Sequence, residues 1–289
     1  MTPPTQTRKG DVFVTCAYCG KENNETWCES EGFSIVRCAC GVAYPNPRST
    51  THELVSAYND QEISGLQDYL EVEEDNKKDF TKRLALIERV MRRKGKLLDV
   101  GCNIGSMVAV ARDRGWDCFG IDINKQAVGL AVGQGLPCAT SDFFGLQETF
   151  DLIVLNDVIE HLEDPIAALK KAHSLLNEGG YLYVSTPKGD SIMSQYTKGR
   201  WLHRKPREHL YIFTNDTMRA MLEENGFDIS HTGTVGRTRS VGVILRKLGA
   251  YSQSLNAFLV HVVPKWIKDL SLYINPFDEM YFLAKKKIS

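Results

Sequence analysis

The run Leu97-Leu98-Asp99-Val100-Gly101-Cys102-Asn103-Ile104-Gly105 and, one β-α unit later, Gly120-Ile121-Asp122 constrain this chain more than any other feature. Apolar residues lead into an acid and a glycine-bearing turn, a helical pattern follows, and a second strand ends in another acid. Strand, turn, helix and distal acid in that order describe a nucleoside-binding βαβ unit, with the distal acid placed where a ribose would lie.

Alternating elements extend this unit. Phe80, Leu84, Ile87 and Met91 share one face of a helix expected over 79–94, with Gly95 placed to end it. Strands are expected at 96–100, 117–121, 137–140, 150–155, 181–187 and 227–231. Helices are expected at 105–114, 125–133, from Pro165 to Leu176, and from a Thr214 cap to Gly226. The continuous apolar run at 150–155 is the pattern of a strand buried on both faces. Such alternation implies an α/β fold with a parallel, doubly wound sheet and helices on both sides. Residues 237–272 add a mostly helical insertion, and Met280-Tyr281-Phe282-Leu283-Ala284 reads as a final strand.

With 289 residues, 43% hydrophobic and 25% charged, the chain can hold one large domain and a small one. A net charge of −1 leaves no footprint for wrapping duplex nucleic acid. The first residues lack an apolar core for export, and the apolar stretch at 258–264 is short and ends in Pro264, so no transmembrane segment and a cytoplasmic location are expected. Five of the eight cysteines, Cys16, Cys19, Cys28, Cys38 and Cys40, lie in the first forty residues. A reducing compartment disfavours disulfides there and favours metal. Cys16-Ala17-Tyr18-Cys19-Gly20 has the form of a zinc knuckle, and Cys38-Ala39-Cys40-Gly41 is a tighter version of it. Four thiolates from Cys16, Cys19, Cys38 and Cys40 would close a tetrahedral, structural Zn²⁺ site, with Cys28 as a substitute for Cys38. Residues 1–48 then form a zinc-ribbon-like module ending in the extended Tyr44-Pro45-Asn46-Pro47-Arg48, and 49–95 form a helical linker.

Beyond residue 50 the chain resembles the class I S-adenosylmethionine-dependent methyltransferases, and the N-terminal cysteines resemble a subgroup with a zinc ribbon before that domain. Residues 97–105 resemble the family's first motif, Asp122 its ribose acid, Asp142-Phe143 its adenine-side motif and Asn156-Asp157-Val158-Ile159-Glu160-His161-Leu162 the segment after its fourth strand. The resemblance implies a seven-stranded Rossmann-like sheet over 96–289, with the last strand, 279–285, antiparallel between the fifth and sixth. It implies that S-adenosylmethionine meets Asp99, Gly101, Cys102, Asn103 and Gly105 with its methionine half. Asp122 and Ile123 would face the ribose and ring, Ser141, Asp142 and Phe143 the adenine, and Asn156 the floor. Asn103 stands where many members have glycine. A dinucleotide's pyrophosphate would need glycine there, so asparagine favours the methyl donor.

Methyl transfer to a hydroxyl needs a base or a metal beside an aligned acceptor. Asp157, Glu160 and His161 follow the fourth strand, and His209 arrives from the expected lid, 188–213. His161 or His209 could act as a base. Alternatively all four residues hold Mg²⁺ or another divalent cation, a set resembling the E-x-x-E-H plus distal His of ubiquinone-pathway and small-RNA O-methyltransferases, with Asp157 replacing the first Glu. In a third reading Glu160 and His161 only organise the following helix. Lys198, Arg200, His203, Arg204, Lys205 and Arg207 surround Trp201 and suggest an anionic acceptor. The expected function is O-methylation of a small-molecule or saccharide hydroxyl. A catalytically silent cofactor-binding scaffold and an RNA methyltransferase are the alternatives. The insertion would cap the acceptor pocket, form a homodimer or touch a membrane surface.

Overall fold

The computed structural model describes residues 11–23, 25–49, 62–248 and 262–288. Residues 50–61 of the expected linker and 249–261 of the expected cap, including most of its apolar stretch, lie outside the described residues.

The centre is a seven-stranded sheet. Its strands are β4 (Lys96–Val100), β5 (Asp117–Asp122), β6 (Cys138–Thr140), β7 (Phe150–Asn156), β8 (Leu176–Pro187), β9 (Phe227–Thr234) and β12 (Glu279–Lys286), in the order β6-β5-β4-β7-β8-β12-β9. Strand β12 pairs antiparallel with both β8 and β9, as the resemblance implies, and the pairs among β4 to β8 are parallel. Successive residues of β4 point to opposite faces, so Leu98 and Val100 enter one core and Leu97 the other. The first core receives helices α5 (Pro165–Leu175) and α7 (Asn215–Glu224) through Leu169, Ala172, Met218 and Leu222. The second receives α2 (Glu73–Met91), α3 (Ser106–Asp113) and α4 (Lys125–Gly133) through Leu84, Ile87, Val108 and Ala131. Each fully buried large side chain in these layers contributes about 1.5–3 kcal/mol relative to exposure.

Local chemistry sets the helix ends. Asp164 accepts from the Ala167 amide at 2.8 Å before the Pro165 start, and Thr214 accepts from Thr217 at 3.2 Å, the cap expected from sequence. Helix α2 differs from expectation. It starts six residues earlier and ends when Arg92 takes a left-handed φ of 57°, its amide bonding to Glu88. Gly95 is instead needed for a close approach, since a Cβ there would collide with the Asp151 carboxylate that accepts the Lys96 amide. Strand β8 also starts five residues early, absorbing the expected turn at Gly179, which keeps a φ of +69° inside the strand.

The N-terminal residues form a three-stranded antiparallel sheet from β1 (Thr26–Ser30), β2 (Phe33–Arg37) and β3 (Ala43–Pro45). Helix α1 (Glu62–Glu71) precedes α2. A short helix α6 (Ile192–Thr197) follows β8. The expected helical insertion is bracketed by a two-stranded ribbon, β10 (Arg237–Ser240) with β11 (Ser271–Ile274), around helices α8 (Val241–Leu248) and α9 (Lys265–Lys268). Long-range polar contacts explain those strands. Asp79 of α2 accepts from the Thr238 amide at 2.8 Å and hydroxyl at 2.6 Å, and Asp75 accepts from Ser271 at 2.8 Å. Among the described residues no helix is long and apolar enough to cross a membrane.

Candidate functional site

The turn after β4 is a cradle made by backbone. Gly101, Asn103 and Gly105 take φ values of 73°, 48° and 80°, which folds the turn tightly enough that its amides bond within it and to the end of β5. A Cβ at Gly101 would lie 2.6 Å from Val158, and one at Gly105 would lie 2.6 Å from Leu136. Asn103 supports its own left-handed conformation by accepting from the Ile104 amide at 2.8 Å. The Gly101 and Cys102 amides bond to the Ile121 carbonyl, while Asp122 accepts from Asn103 and Asn124, each at 2.8 Å. The two glycine-turn strand ends are therefore tied to one carboxylate. Burial raises the Asp122 pKa, and these amides partly offset it. Asp99 is more extreme, because its burial beside Cys138 and Asp122 pushes the carboxyl well above its ordinary value.

On the other side of the cleft Asp142 caps a short 3₁₀ turn, accepting from Phe144 at 3.2 Å, and the Ser141 amide bonds to the Asp122 carbonyl. Phe143 is buried in the core, whereas Ile123 remains half exposed at the end of β5. Cys102 is buried beneath the turn. Asn156 accepts from Arg83 of α2 and from the Ser185 hydroxyl at 3.1 Å.

The second half of the cleft is built from side chains. Glu160 is completely buried, and neither carboxylate oxygen has a hydrogen-bond partner among the described residues. His161 Nδ1 lies 2.8 Å from the Glu208 carbonyl, and His209 Nδ1 lies 2.7 Å from the His203 carbonyl. A carbonyl only accepts, so both Nδ1 atoms carry the proton and both Nε2 atoms keep a lone pair. The rings meet edge to face with centroids 4.8 Å apart. Burial lowers the pKa of both imidazoles, that of His209 furthest, with neighbouring His161 adding to the effect. Burial likewise pushes Glu160 well up, and Asp157 adds to it. One ligand atom each from Glu160, His161 and His209 lies within 4.8 Å of the others.

Asp157 does not join that set. Its carboxylate takes a hydrogen bond from Arg237 at 2.6 Å, and Arg237 also bonds Glu279 at 2.7 Å. Burial alone would raise the Asp157 pKa, but Arg237 and Arg83 outweigh it and hold the carboxyl at about 2. His203 Nε2 stands 3.5 Å from both Asp278 and Glu279, and Trp201 donates to Asp278 at 3.2 Å.

A family model described as a methyltransferase domain matches residues 69–232. The chain belongs to the S-adenosylmethionine-dependent methyltransferases. Its relatives include ubiquinone biosynthesis O-methyltransferases from Parvibaculum lavamentivorans, 33% identical over 100 residues (32% of this chain and 40% of that protein), and from Aliivibrio fischeri, 26% identical over 101 residues (32% and 43%). The methyltransferase thus spans less than half the length of these two curated relatives. Among solved structures, magnesium protoporphyrin IX methyltransferase from Synechocystis PCC 6803 with bound S-adenosylhomocysteine shares the fold, with a TM-score of 0.53, 17% identity, and coverage of 81% of this chain and all of that one.

At the methyltransferase's N-terminus Cys16, Cys19, Cys38 and Cys40 can bring their sulfurs within 4.8 Å of one another, with Cys16 and Cys40 at 3.5 Å and Cys19 and Cys38 at 3.3 Å. Gly20 and Gly41 take the positive φ expected of the knuckles, 70° and 98°. Cys28 lies apart on β1, against the cluster containing Phe33 and Trp201. Three of the lid's cations are engaged away from Glu160 and the paired histidines. Arg204 is buried against the Trp27 and Trp201 rings, Arg207 lies over Phe33, and Lys205 pairs with Glu208.

Several cleft residues of the methyltransferase were not singled out from sequence. Arg83, Arg237 and Glu279 come from three separate segments and carry no local motif. Tyr69 of α1 is half exposed, yet burial of its hydroxyl raises the phenol pKa, and the nearby Asp157 and Asp122 carboxylates add to that.

Proposed function

We propose that the protein transfers the methyl group of S-adenosylmethionine to a hydroxyl of a small-molecule or saccharide acceptor, with Glu160, His161 and His209 holding a divalent cation that assists deprotonation. One observation carries the reading. The buried Glu160 carboxyl, without a hydrogen-bond partner among the described residues, lies beside two imidazoles whose Nε2 atoms keep lone pairs, and a cation that displaces the carboxyl proton would be held by all three groups at once. When bound, the cation would lower the pKa of the acceptor hydroxyl. The chain's own residues would orient the acceptor, with Arg237 bridging Asp157 and Glu279 and holding the Asp157 carboxyl ionised.

In the same reading Asp122 receives the ribose hydroxyls, Asp99 and the turn from Gly101 through Cys102 and Asn103 to Gly105 hold the methionine half, and Ile123, Ser141, Asp142 and Phe143 enclose the adenine over Asn156. Cys16, Cys19, Cys38 and Cys40 bind a structural zinc, for which an all-thiolate set leaves no open position. Arg204, Lys205 and Arg207 of the lid are engaged with aromatic rings and Glu208. The test is a mass-shift screen of metabolite pools with labelled methyl donor, before and after chelation. Methylation of a hydroxyl that stops on chelation and returns with Mg²⁺ or Mn²⁺ supports the cation. Methylation unaffected by chelation assigns deprotonation to the Nε2 of His161 or His209 instead.

A further inference from the structure

The segment carrying His203 and His209 is held by the N-terminal module. Ala43 of β3 exchanges two backbone hydrogen bonds with Ile212, at 2.9 and 2.8 Å. Ser30 Oγ lies 2.9 Å from the Gly199 carbonyl and 3.1 Å from that of Arg204. The Arg204 guanidinium sits 4.6 Å from the Trp27 ring and 5.5 Å from that of Trp201. Trp201, Phe33, Ile35, Ala43 and Ile212 form a hydrophobic core of their own. The two surfaces meet so closely that a Cβ at Gly199 would collide with the Glu29 carbonyl.

From there the path to the cleft is short. The Leu210 and Tyr211 amides, just before Ile212, both bond to the Glu160 carbonyl, at 2.8 and 3.2 Å. His203 and Glu208 supply the carbonyls that orient His209 and His161. On the other side the cysteine cluster closes the β2–β3 turn, and the Cys40 carbonyl accepts from Thr217 at 2.6 Å. The proposed nucleoside cradle stands on β4, β5 and β6, with β7 between them and the strand β8 that leads into this segment.

We propose that the N-terminal module is the template for segment 198–213: through Ser30, Trp27 and Ala43 it positions His203 and His209, and its cysteine cluster governs the acceptor half of the cleft without governing the nucleoside half. Trp27, Ser30 and Gly199 are then positioning residues, acting through the segment they hold. Their placement of the histidines is a matter of packing, while the name acceptor half rests on the proposed function.

The test uses the full chain with Gly199→Ala and with a Trp27→Ala/Ser30→Ala double variant, both remote from the four cysteines. Zinc content should equal that of wild type, and calorimetry should show S-adenosylhomocysteine affinity within about twofold of it. The ring ¹⁵N signals of His161 and His209 should leave the Nδ1-protonated pattern, and trypsin should cut after Arg200, Arg204 or Arg207 about tenfold faster. Cys38→Ser should produce the same changes together with zinc loss. If a variant does not fold, Ser30→Ala alone is read by the same signals, with smaller shifts expected. Histidine signals and tryptic rates equal to wild type would overturn the template, as would nucleoside affinity falling in step with lid protection. Displaced histidines with undiminished methyl transfer would overturn the acceptor assignment and leave the template standing.

Discussion

The two halves of the cleft are built by different means. The nucleoside half is a backbone cradle drawn from residues 99–105, 120–124 and 141–143, with positive-φ positions and one carboxylate bonding two amides. The half around Glu160 draws side chains from segments around 83, 157–161, 203–209, 237 and 279, most of them buried and charged or able to become so. A backbone cradle tolerates variation in side chains, as Asn103 illustrates. A cluster of buried polar groups has no such tolerance, because each unpaired member costs about 1–3 kcal/mol. The contrast shows why one fold can keep a cofactor while its acceptor changes.

Substitutions can break this contrast. The largest effect is expected for His161→Ala/His209→Ala, which should lower kcat by about 10²–10⁴-fold while leaving S-adenosylhomocysteine binding unchanged in calorimetry. A double variant that loses cofactor binding as well would merge the two halves. Arg237→Met leaves Asp157 and Glu279 facing each other without their shared cation, and should destabilise the fold by about 1–3 kcal/mol in denaturant titration. That range lies below the cost for a deeply buried pair because Arg237 is 32% exposed. Asp122→Ala should weaken S-adenosylhomocysteine binding by about 1–3 kcal/mol with little change in the histidine ring signals. Asn103→Gly is the mildest, since it relieves the left-handed strain but removes the Asn103–Ile104 bond, and stability should change by no more than about 1 kcal/mol. A much larger loss would mean that the Asn103 side chain itself is part of the cradle.

Legibility followed the same division. The glycine turn, Asp122 and the knuckle glycines Gly20 and Gly41 could be read from residues near one another in sequence, while the place of the antiparallel last strand came from the family resemblance. Arg237 could not, because nothing near it in the chain predicts that it will meet Asp157 eighty residues away. Arg204 and Arg207 looked like a cationic lid because a run of like charge reads as solvent-facing or ligand-facing, yet packing placed them over Trp27 and Phe33. Arg92 rather than Gly95 ends α2, since Gly95 is committed to the approach of Asp151.

What this sequence determined by itself is the alternation of strands and helices, the nucleoside turn and the cysteine knuckles, all of which depend on backbone conformation and contacts a few residues apart. Only the tertiary structure decided which groups share the acceptor wall and what holds the lid. Those choices join residues as distant as Ser30 and Arg204, or Asp157 and Arg237, and their energy exists only once burial has removed water from both partners.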